Sequence, residues 1–516
     1  MSGPLRLVPG PVPDPSRPAA TPPTSVFTGQ GRVRDHKAGD DGGRHQRAPR
    51  PAPSWADDPL DDLVERLADV CAAAVHPDEI AAFLEADGLT GEQITARYGR
   101  RNVFELATEL YERVPRGFPE PPARSDPWHA KPGRFLLRGV VFTLPGLGYV
   151  LSTPFLEGPT GLFGLSAGTG PLAASALVGW AWNQALAHRA YRWLALGGSP
   201  AAAACLRIGG TLGAVLAFAA ALVLPGPGAA MAFAAGQSVY LAAATALLVL
   251  GKERELLYSL LPIGVGSTVL LWIDLPSVVR AALPLATVLA ALSAAALAIT
   301  RAIAERPKAT ADGEEKNRKS AGPRWHESVP YGLFGLGCAV LTSVAVLGDV
   351  LRYGAGASLT GPSVIALTLS MGVAEWLLYR CRGLALAALA ESTTAGALLL
   401  RAAWVLARCM AVYLSVLAVL VYTTAALWPD GPHLGPQRLA AVVALGAVMW
   451  TGLLLQAFGT AWIPALSTLA AAVVETVPLA LHAWTPTSVQ LAACCCTAAV
   501  LLGAATALLG RITAHR

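Results

Sequence analysis

Charged residues are scarce in this chain. Asp, Glu, Lys and Arg make up 14% of its 516 residues, while hydrophobic residues make up 54%. A soluble domain carries about 25% charged residues. Long apolar stretches separate the few charged segments, and roughly 20 apolar residues are enough to cross the hydrocarbon core of a bilayer. The composition therefore predicts an all-α, polytopic membrane protein.

Familiar catalytic signatures are also lacking. The sequence contains no HExxH, Walker A or CxxC arrangement. Without a Walker A sequence, we expect no built-in ATP motor. The eight cysteines form no disulfide framework, and most fall inside apolar stretches, where cysteine behaves as a small apolar residue. We expect no enzyme activity, no cofactor and no metal site.

The N-terminus lacks the apolar core of a signal peptide. Residues 1–54 hold eight Arg or Lys, four Asp and many prolines, with few large apolar side chains. Such a segment cannot bury enough surface to offset the entropy of ordering it. We expect a disordered cytosolic tail and no cleaved export signal.

Residues 55–116 have a different character. This segment has 14 acidic and six basic residues. Helical spacing places a set of apolar residues on one face, namely Leu60, Leu63, Val64, Leu67 and Val70. The segment is predicted to be a small cytosolic helical module, followed by a Pro-rich linker over 117–137. Its net negative charge argues against nucleic acid as a partner.

Twelve apolar segments follow, six on each side of a charged loop at 301–328. They form two regions, 138–300 and 329–510, and residues 511–516 end the chain. The predicted spans are Val140–Leu156, Leu162–Ala187, Ala202–Leu224, Ala229–Leu250, Leu256–Ile273, Val278–Ile299, Tyr331–Val350, Pro362–Tyr379, Leu398–Leu427, Leu439–Phe458, Ala461–Leu481 and Ser488–Leu509.

The distribution of basic residues predicts the orientation of these spans. If the N-terminus is cytosolic, the cytosolic connections carry 15 Lys or Arg and the outer connections carry three. Cytosolic loops of membrane proteins are enriched in Lys and Arg. We therefore expect both termini in the cytoplasm, and the central loop is expected to be a flexible cytosolic joint.

The two halves contain an internal repeat. Gly179, Arg189 and Ser199 correspond to Gly372, Arg382 and Ser392 at an offset of 193, and Arg207 corresponds to Arg401 at 194. Each half thus has a second span that ends in a basic turn, then small residues, then a basic start to the third span. Because both segments lie on the cytosolic side, the repeats are parallel.

Two sequences, QALAHRAYRWLALGGSPAAAACLRIGG (184–210) and WLLYRCRGLALAALAESTTAGALLLRAAW (376–404), carry a family resemblance. Together with VLGKERELLYSLLPIG (249–264), this pattern resembles the multidrug/oligosaccharidyl-lipid/polysaccharide flippase superfamily. The resemblance implies two six-helix lobes that work by alternating access. It also implies transport of a lipid-linked sugar or a polysaccharide precursor.

Two acidic residues inside predicted spans are candidates for substrate or ion binding. Glu475 lies well inside the eleventh span, three residues before Pro478. An ionisable group at that depth costs at least about 2.5–3.5 kcal/mol on insertion scales. It could take up a proton or cation in each cycle, or pair with an Arg or hydroxyl for packing. Glu375, in the eighth span, could bind substrate or form an interfacial pair with a nearby arginine.

Four further polar residues are candidates for binding. Asn183 and Gln184 in the second span could line a polar cavity or bond between helices. Arg401 and Arg408 lie two turns apart in the ninth span, so they share a face. They could bind the phosphate of a lipid-linked substrate, or extend to the membrane interface.

Two functions from different classes follow. The first is a flippase or exporter with membrane lipids and a lipid-linked saccharide as partners. The second is a non-transporting membrane scaffold that binds a cytosolic protein through residues 55–116. The Ala-, Gly- and Arg-rich composition indicates a bacterial genome of high GC content, hence a location in the cell membrane.

Overall fold

The computed structural model describes residues 59–115, 117, 132–156, 165–270, 272–305, 322–354, 361–427 and 434–510. The predictions for the tail, the C-terminus and most of both linkers lie outside these residues. The chain divides into two compact units, one containing the helices up to Arg113 and one containing those from Pro132 onward.

Over its described residues, the first unit is a cluster of five short helices. They are α1 (Pro59–Arg66), α2 (Ala68–Ala73), α3 (Pro77–Ala86), α4 (Gly91–Tyr98) and α5 (Val103–Arg113). Side chains cap three of them: His76 caps α3, Asn102 caps α5, and Thr90 forms a capping box with Gln93 at α4. Such caps satisfy backbone N–H groups that have no partner within the helix. Buried Leu60, Ile80 and Leu106 belong to the unit's own core.

The described residues of the second unit form eleven long helices. They are α6 (Pro132–Leu156), α7 (Thr169–Leu222), α8 (Gly228–Val249), α9 (Glu253–Val269), α10 (Ser277–Ala304), α11 (Val329–Tyr353), α12 (Gly361–Glu391), α13 (Ala395–Leu427), α14 (Pro436–Ala457), α15 (Trp462–Ala480) and α16 (Pro486–Leu509). A 3-10 turn, Trp325–Ser328, leads into α11.

Nine helices among the described residues are long and apolar enough to cross a membrane. The chain is therefore a multi-pass, helical membrane protein, as its composition predicts. The helices α6, which contains Pro145 and Pro154, and α9, with 17 residues, are not among the nine. α7 counts once although two predicted spans fall within it.

The 54-residue helix α7 is a hairpin of two segments. Gly198 has φ +68° and ψ −166°, a conformation that the helix interior does not allow and that glycine adopts without strain. Trp182 lies against Gly213 and Leu186 against Gly209, so the segments before and after Gly198 run antiparallel. This reversal places the second and third predicted spans side by side.

The apolar cores of the second unit follow the two halves of the chain. One cluster consists of buried residues from α6 to α10, and a larger cluster consists of buried residues from α11 to α16. We call the helices α6–α10 the first half and α11–α16 the second half. The halves meet mainly where α6 packs on α12 and where α7 packs on α11.

One end of the helix bundle collects arginines, and we call it the basic end. It includes the start of α6, the Gly198 reversal of α7, the start of α11 and the later part of α12, with Arg138, Arg189, Arg192 and Arg380. Ion pairs and ring contacts hold these segments together. At the opposite end, Arg280 donates to the Leu151 carbonyl and Arg438 pairs with Asp349.

Candidate functional site

A largely buried arginine joins the two halves at the basic end. Arg138 of α6 donates from Nε to Glu253 Oε1 of α9 at 2.7 Å, and from a terminal nitrogen to Glu375 of α12. The three side chains are only 14%, 8% and 6% exposed. We call Arg138, Glu253 and Glu375 the buried triad.

The triad consists of one positive and two negative groups. Glu253 and Arg138 both belong to the first half, whereas Glu375 belongs to the second. Hydrogen bonds in which both partners are ionised are roughly twice as strong as neutral ones. The Arg138–Glu375 contact is therefore a strong tie between the halves, and the Arg138–Glu253 pair can persist without it.

The backbones of α6 and α12 touch beside this triad. A Cβ on Gly139 would lie 2.9 Å from the Leu369 carbonyl oxygen, and one on Gly372 would collide with the Phe135 carbonyl. On either side, the Phe135 and Tyr379 rings lie 5.5 Å apart, and Thr143 and Thr368 share a hydrogen bond. Small residues permit this approach, as is common between membrane helices.

A related crossing joins α7 and α11. The His188 ring stacks on Tyr331 with centroids 3.8 Å apart, and its Nδ1 lies 3.0 Å from Ser328 Oγ. Gly332 packs against Ala181 and Ala185. Gly332 also follows Gly139 by 193 residues, the offset of the internal repeat. The first helix of each half thus crosses the second helix of the other half at an equivalent position.

Sequence reasoning placed Glu375 beside Tyr379 and Arg380 on its own helix, but the structure pairs it with Arg138 of α6. Arg138 and Glu253 were not selected as candidates, because the first and fifth spans were predicted to start at Val140 and Leu256. The helices begin earlier, at Pro132 and Glu253. Gly139 precedes Gly332 by 193 residues, the offset of the internal repeat, and it adjoins Arg138. The repeat could therefore have identified this region from the sequence.

Glu475 is a separate site within the second half. Its side chain is 1% exposed, between α15 and α16. The Cys494 thiol donates to Oε1 at 3.5 Å, and Oε2 has no hydrogen-bond partner among the described residues. Among the residues that the structure describes, neither an arginine nor a hydroxyl forms the packing pair that the sequence left open. A buried carboxylate without a cation is expensive, because its charge loses hydration.

Asn183 and Gln184 line a small cavity together with Tyr191 and Thr245. Its volume is about 10 Å³, which is close to the minimum for one water molecule. Asn183 donates to the Gly179 carbonyl, while its Oδ1 has no partner among the described residues. Gln184 also packs against Gly335 of α11, so it belongs to the crossing between the halves.

Arg401 and Arg408 both lie on an exposed face of α13. Arg401 donates to the Glu391 carbonyl at 2.8 Å and lies 3.5 Å from its carboxylate. Neither arginine belongs to the triad, and Glu475 lies on a different helix. The six residues that the sequence proposed therefore fall into several places rather than one pocket.

The structure can be checked for two kinds of reactive site, a metal site and a serine nucleophile. No group of His, Cys, Asp and Glu among the described residues has the arrangement of a metal site. Residues 164–168 read GLSAG, a GxSxG string that sequence reasoning overlooked. A nucleophile elbow needs a strand before the serine and a helix after it, and the described part of the chain contains no strand. Ser166 instead shares a hydrogen bond with Thr169 at the start of α7.

The chain was compared with protein-family models, with curated proteins and with solved structures, and none of them matches.

Proposed function

We propose that this protein is a transporter that works by alternating access between two six-helix lobes. The lobes are the first and second halves, with twelve spans in all when α7 counts as two and α6 and α9 are included. Both termini face the cytoplasm of a bacterial cell, so the basic end is the cytosolic end. The cargo is a lipid-linked sugar or polysaccharide precursor, moved across the cell membrane.

One observation carries this proposal: each half has its own apolar core, and a buried ionic contact joins the halves at one end. Two bodies with separate cores can rotate against each other without unfolding either one. Transporters built from parallel repeats move in this way about a central site. The Arg138–Glu375 contact then acts as a gate that is closed at the basic end.

Glu475 is proposed to couple transport to an ion. A carboxyl group that is buried and lacks a cation among its described neighbours can accept a proton or bind a cation when the lobes move. The Gln184 contact with Gly335 would change in the same movement, because it crosses between the lobes.

Electron paramagnetic resonance distances test the movement without requiring the cargo. Spin labels at Leu196 and Arg380 report on the basic end, and labels at Val278 and Trp484 report on the opposite end. All four positions are exposed. Glu375→Gln is expected to lengthen the first distance and shorten the second. Glu391→Gln, which removes an ion pair within the second half, is expected to change neither.

Translocation of cargo needs its own measurement. In proteoliposomes, a fluorescent lipid-linked oligosaccharide should become accessible to an external reductant faster than in protein-free vesicles. Glu475→Gln should abolish the difference. A single, unchanged distance distribution at both ends, together with no translocation, would contradict the proposal.

A membrane scaffold remains the second candidate because of the N-terminal unit. That unit has a core of its own and exposes Val75, Phe83 and Phe104. Exposed apolar side chains of this size can contact a protein partner. In this case deletion of residues 55–116 would abolish function in cells, whereas Glu475→Gln and Arg408→Ala would leave it intact.

A further inference from the structure

A large apolar cavity lies between the two segments of α7 at the basic end. Its volume is about 780 Å³, within the range of about 300–1,000 Å³ typical of ligand sites. Three tryptophans belong to its lining, Trp182, Trp193 and Trp325, together with Ile208 and Arg189. This cavity is separate from the buried triad and from Glu475.

The Gly198 reversal and the small residues after it create this space. Beyond the reversal, the second segment presents alanines and a glycine toward the first segment, including Ala201 and Ala204. Trp182 donates from Nε1 to the Gly209 carbonyl at 2.8 Å, which fixes one end of the space between the two segments. At the other end, the Trp193 ring packs against Gly322. The 3-10 turn that contains Trp325 forms the remaining side.

The cavity carries positive charge at one edge. Arg189 lines it and donates to the Pro323 carbonyl at 2.8 Å, which uses one of the five N–H donors of its guanidinium. Arg192, Arg207 and Arg324 are the sequence neighbours of the lining residues Trp193, Ile208 and Trp325, and are not themselves in the lining. Glu327 lies 3.6 Å from Arg192. The Arg189 guanidinium at this edge favours an anion.

Its position and its exposed residues indicate a lipid rather than a soluble ligand. Ile208 is 67% exposed and Trp325 is 72% exposed, and both adjoin helices that are apolar enough to cross the membrane. Tryptophan is enriched at the depth of the lipid headgroups. Basic pockets between spanning helices bind anionic headgroups.

We propose that this cavity binds one anionic phospholipid of the surrounding bilayer. One acyl chain fills the space between the α7 segments, and the phosphate contacts Arg189 at the edge. The bound lipid would support the Gly198 reversal and the start of α11 from the membrane side. This inference does not depend on transport, since a scaffold with the same fold would bind the same lipid.

Native mass spectrometry of the full chain tests the proposal. The detergent-purified protein is titrated with phosphatidylglycerol and, separately, with phosphatidylcholine of the same chain length. The wild type should bind one phosphatidylglycerol more tightly than phosphatidylcholine. Arg189→Gln should lower the phosphatidylglycerol affinity about fivefold and leave phosphatidylcholine unchanged. Lys252→Gln, which removes an exposed cation elsewhere at the basic end, should change neither affinity.

Two further measurements test the acyl chain and the phosphate of the lipid separately. Ala204→Trp, which fills the cavity, should abolish the tight site, and its melting temperature shows whether it is folded. Inorganic phosphate at millimolar concentration should fail to displace the lipid, because the acyl chain supplies most of the affinity. An unchanged preference for phosphatidylglycerol in Arg189→Gln, or tight binding in folded Ala204→Trp, would overturn the proposal.

Discussion

At the scale of single residues, the buried triad has unequal members. Arg138 is the cation that Glu253 and Glu375 share, so removing it leaves the buried Glu375 carboxylate without this partner. Removing Glu375 instead leaves a neutral pair within the first half. The two substitutions therefore differ in their effect on stability, although each removes the same contact between halves.

We expect Arg138→Leu to lower the free energy of unfolding by about 3–5 kcal/mol, the usual result of leaving a buried charge without its partner. Glu375→Gln should lower it by no more than about 1.5–3 kcal/mol, the contribution of a hydrogen bond to a charged group. Thermal unfolding in detergent, monitored by light scattering, shows which of the two variants loses more stability. Equal losses would show that the Arg138–Glu253 pair does not persist alone.

Glu475 allows function and stability to be separated. Because Oε2 has no hydrogen-bond partner among the described residues, Glu475→Gln should leave the melting temperature within a few degrees of the wild type while transport stops. Cys494→Ala, which removes only the thiol contact, should retain transport. A large loss of stability in Glu475→Gln with normal transport would assign this residue to packing.

At the scale of elements, two kinds of local rule position the helices. Caps and turns fix the ends of the short N-terminal helices, and small residues fix where the long helices cross. Both are visible in sequence as residue types, but only the structure shows which glycines face another backbone. Gly372 does, whereas a Cβ on Gly503 of α16 would meet no atom within 4 Å.

Gly372→Val should separate α6 from α12, because its side chain would overlap the Phe135 carbonyl. We expect a loss of about 1–3 kcal/mol, typical of overpacking. Gly503→Ala should cause no loss, since alanine is a better helix former than glycine by about 1 kcal/mol. Differential scanning fluorimetry of both variants checks this, and equal melting temperatures would argue against the close crossing.

The N-terminal unit has an acid-sensitive ion pair. Hydrogen bonds from Arg100 lower the pKa of Glu109 below its usual value, and Arg113 contributes from the same helix. A carboxyl whose pKa is lowered by folding contributes stability above its unfolded pKa of about 4.3, and that stability is lost as the pH falls through the folded value. At neutral pH, Glu109→Gln should destabilise α5 by up to about 1 kcal/mol.

Hydrogen exchange at the α5 amides measures this effect in the full chain. The wild type should be better protected than Glu109→Gln at pH 7, and the difference should shrink below about pH 4. Glu92→Gln removes an acidic residue of α4 and serves as the control. A difference that persists in acid would show that the pair acts through packing rather than charge.

At the scale of the whole molecule, the chain consists of two units with separate cores. We therefore expect removal of residues 1–125 to leave the melting temperature of the membrane unit unchanged within a few degrees. If transport also persists, the first unit has a separate role, such as binding a protein partner. A large fall in the melting temperature would show that the units stabilise each other.

The sequence by itself determined that the protein is helical and crosses a membrane several times. This follows from properties that can be read without the tertiary structure. They are the length of the apolar stretches, the Gly and Pro residues that interrupt them, and the internal offset of 193. It also selected Glu475 and Glu375, because a carboxylate in an apolar stretch is visible as a single letter.

Only the tertiary structure decided the partners of these residues. Arg138 meets Glu375 across 237 positions of chain, and no periodicity or spacing within either helix records that contact. The same holds for the cavity beside Arg189, which exists because Gly198 reverses α7 and places small residues opposite large rings. Contacts between helices depend on which faces meet and how closely the backbones approach, and local sequence patterns do not contain that information.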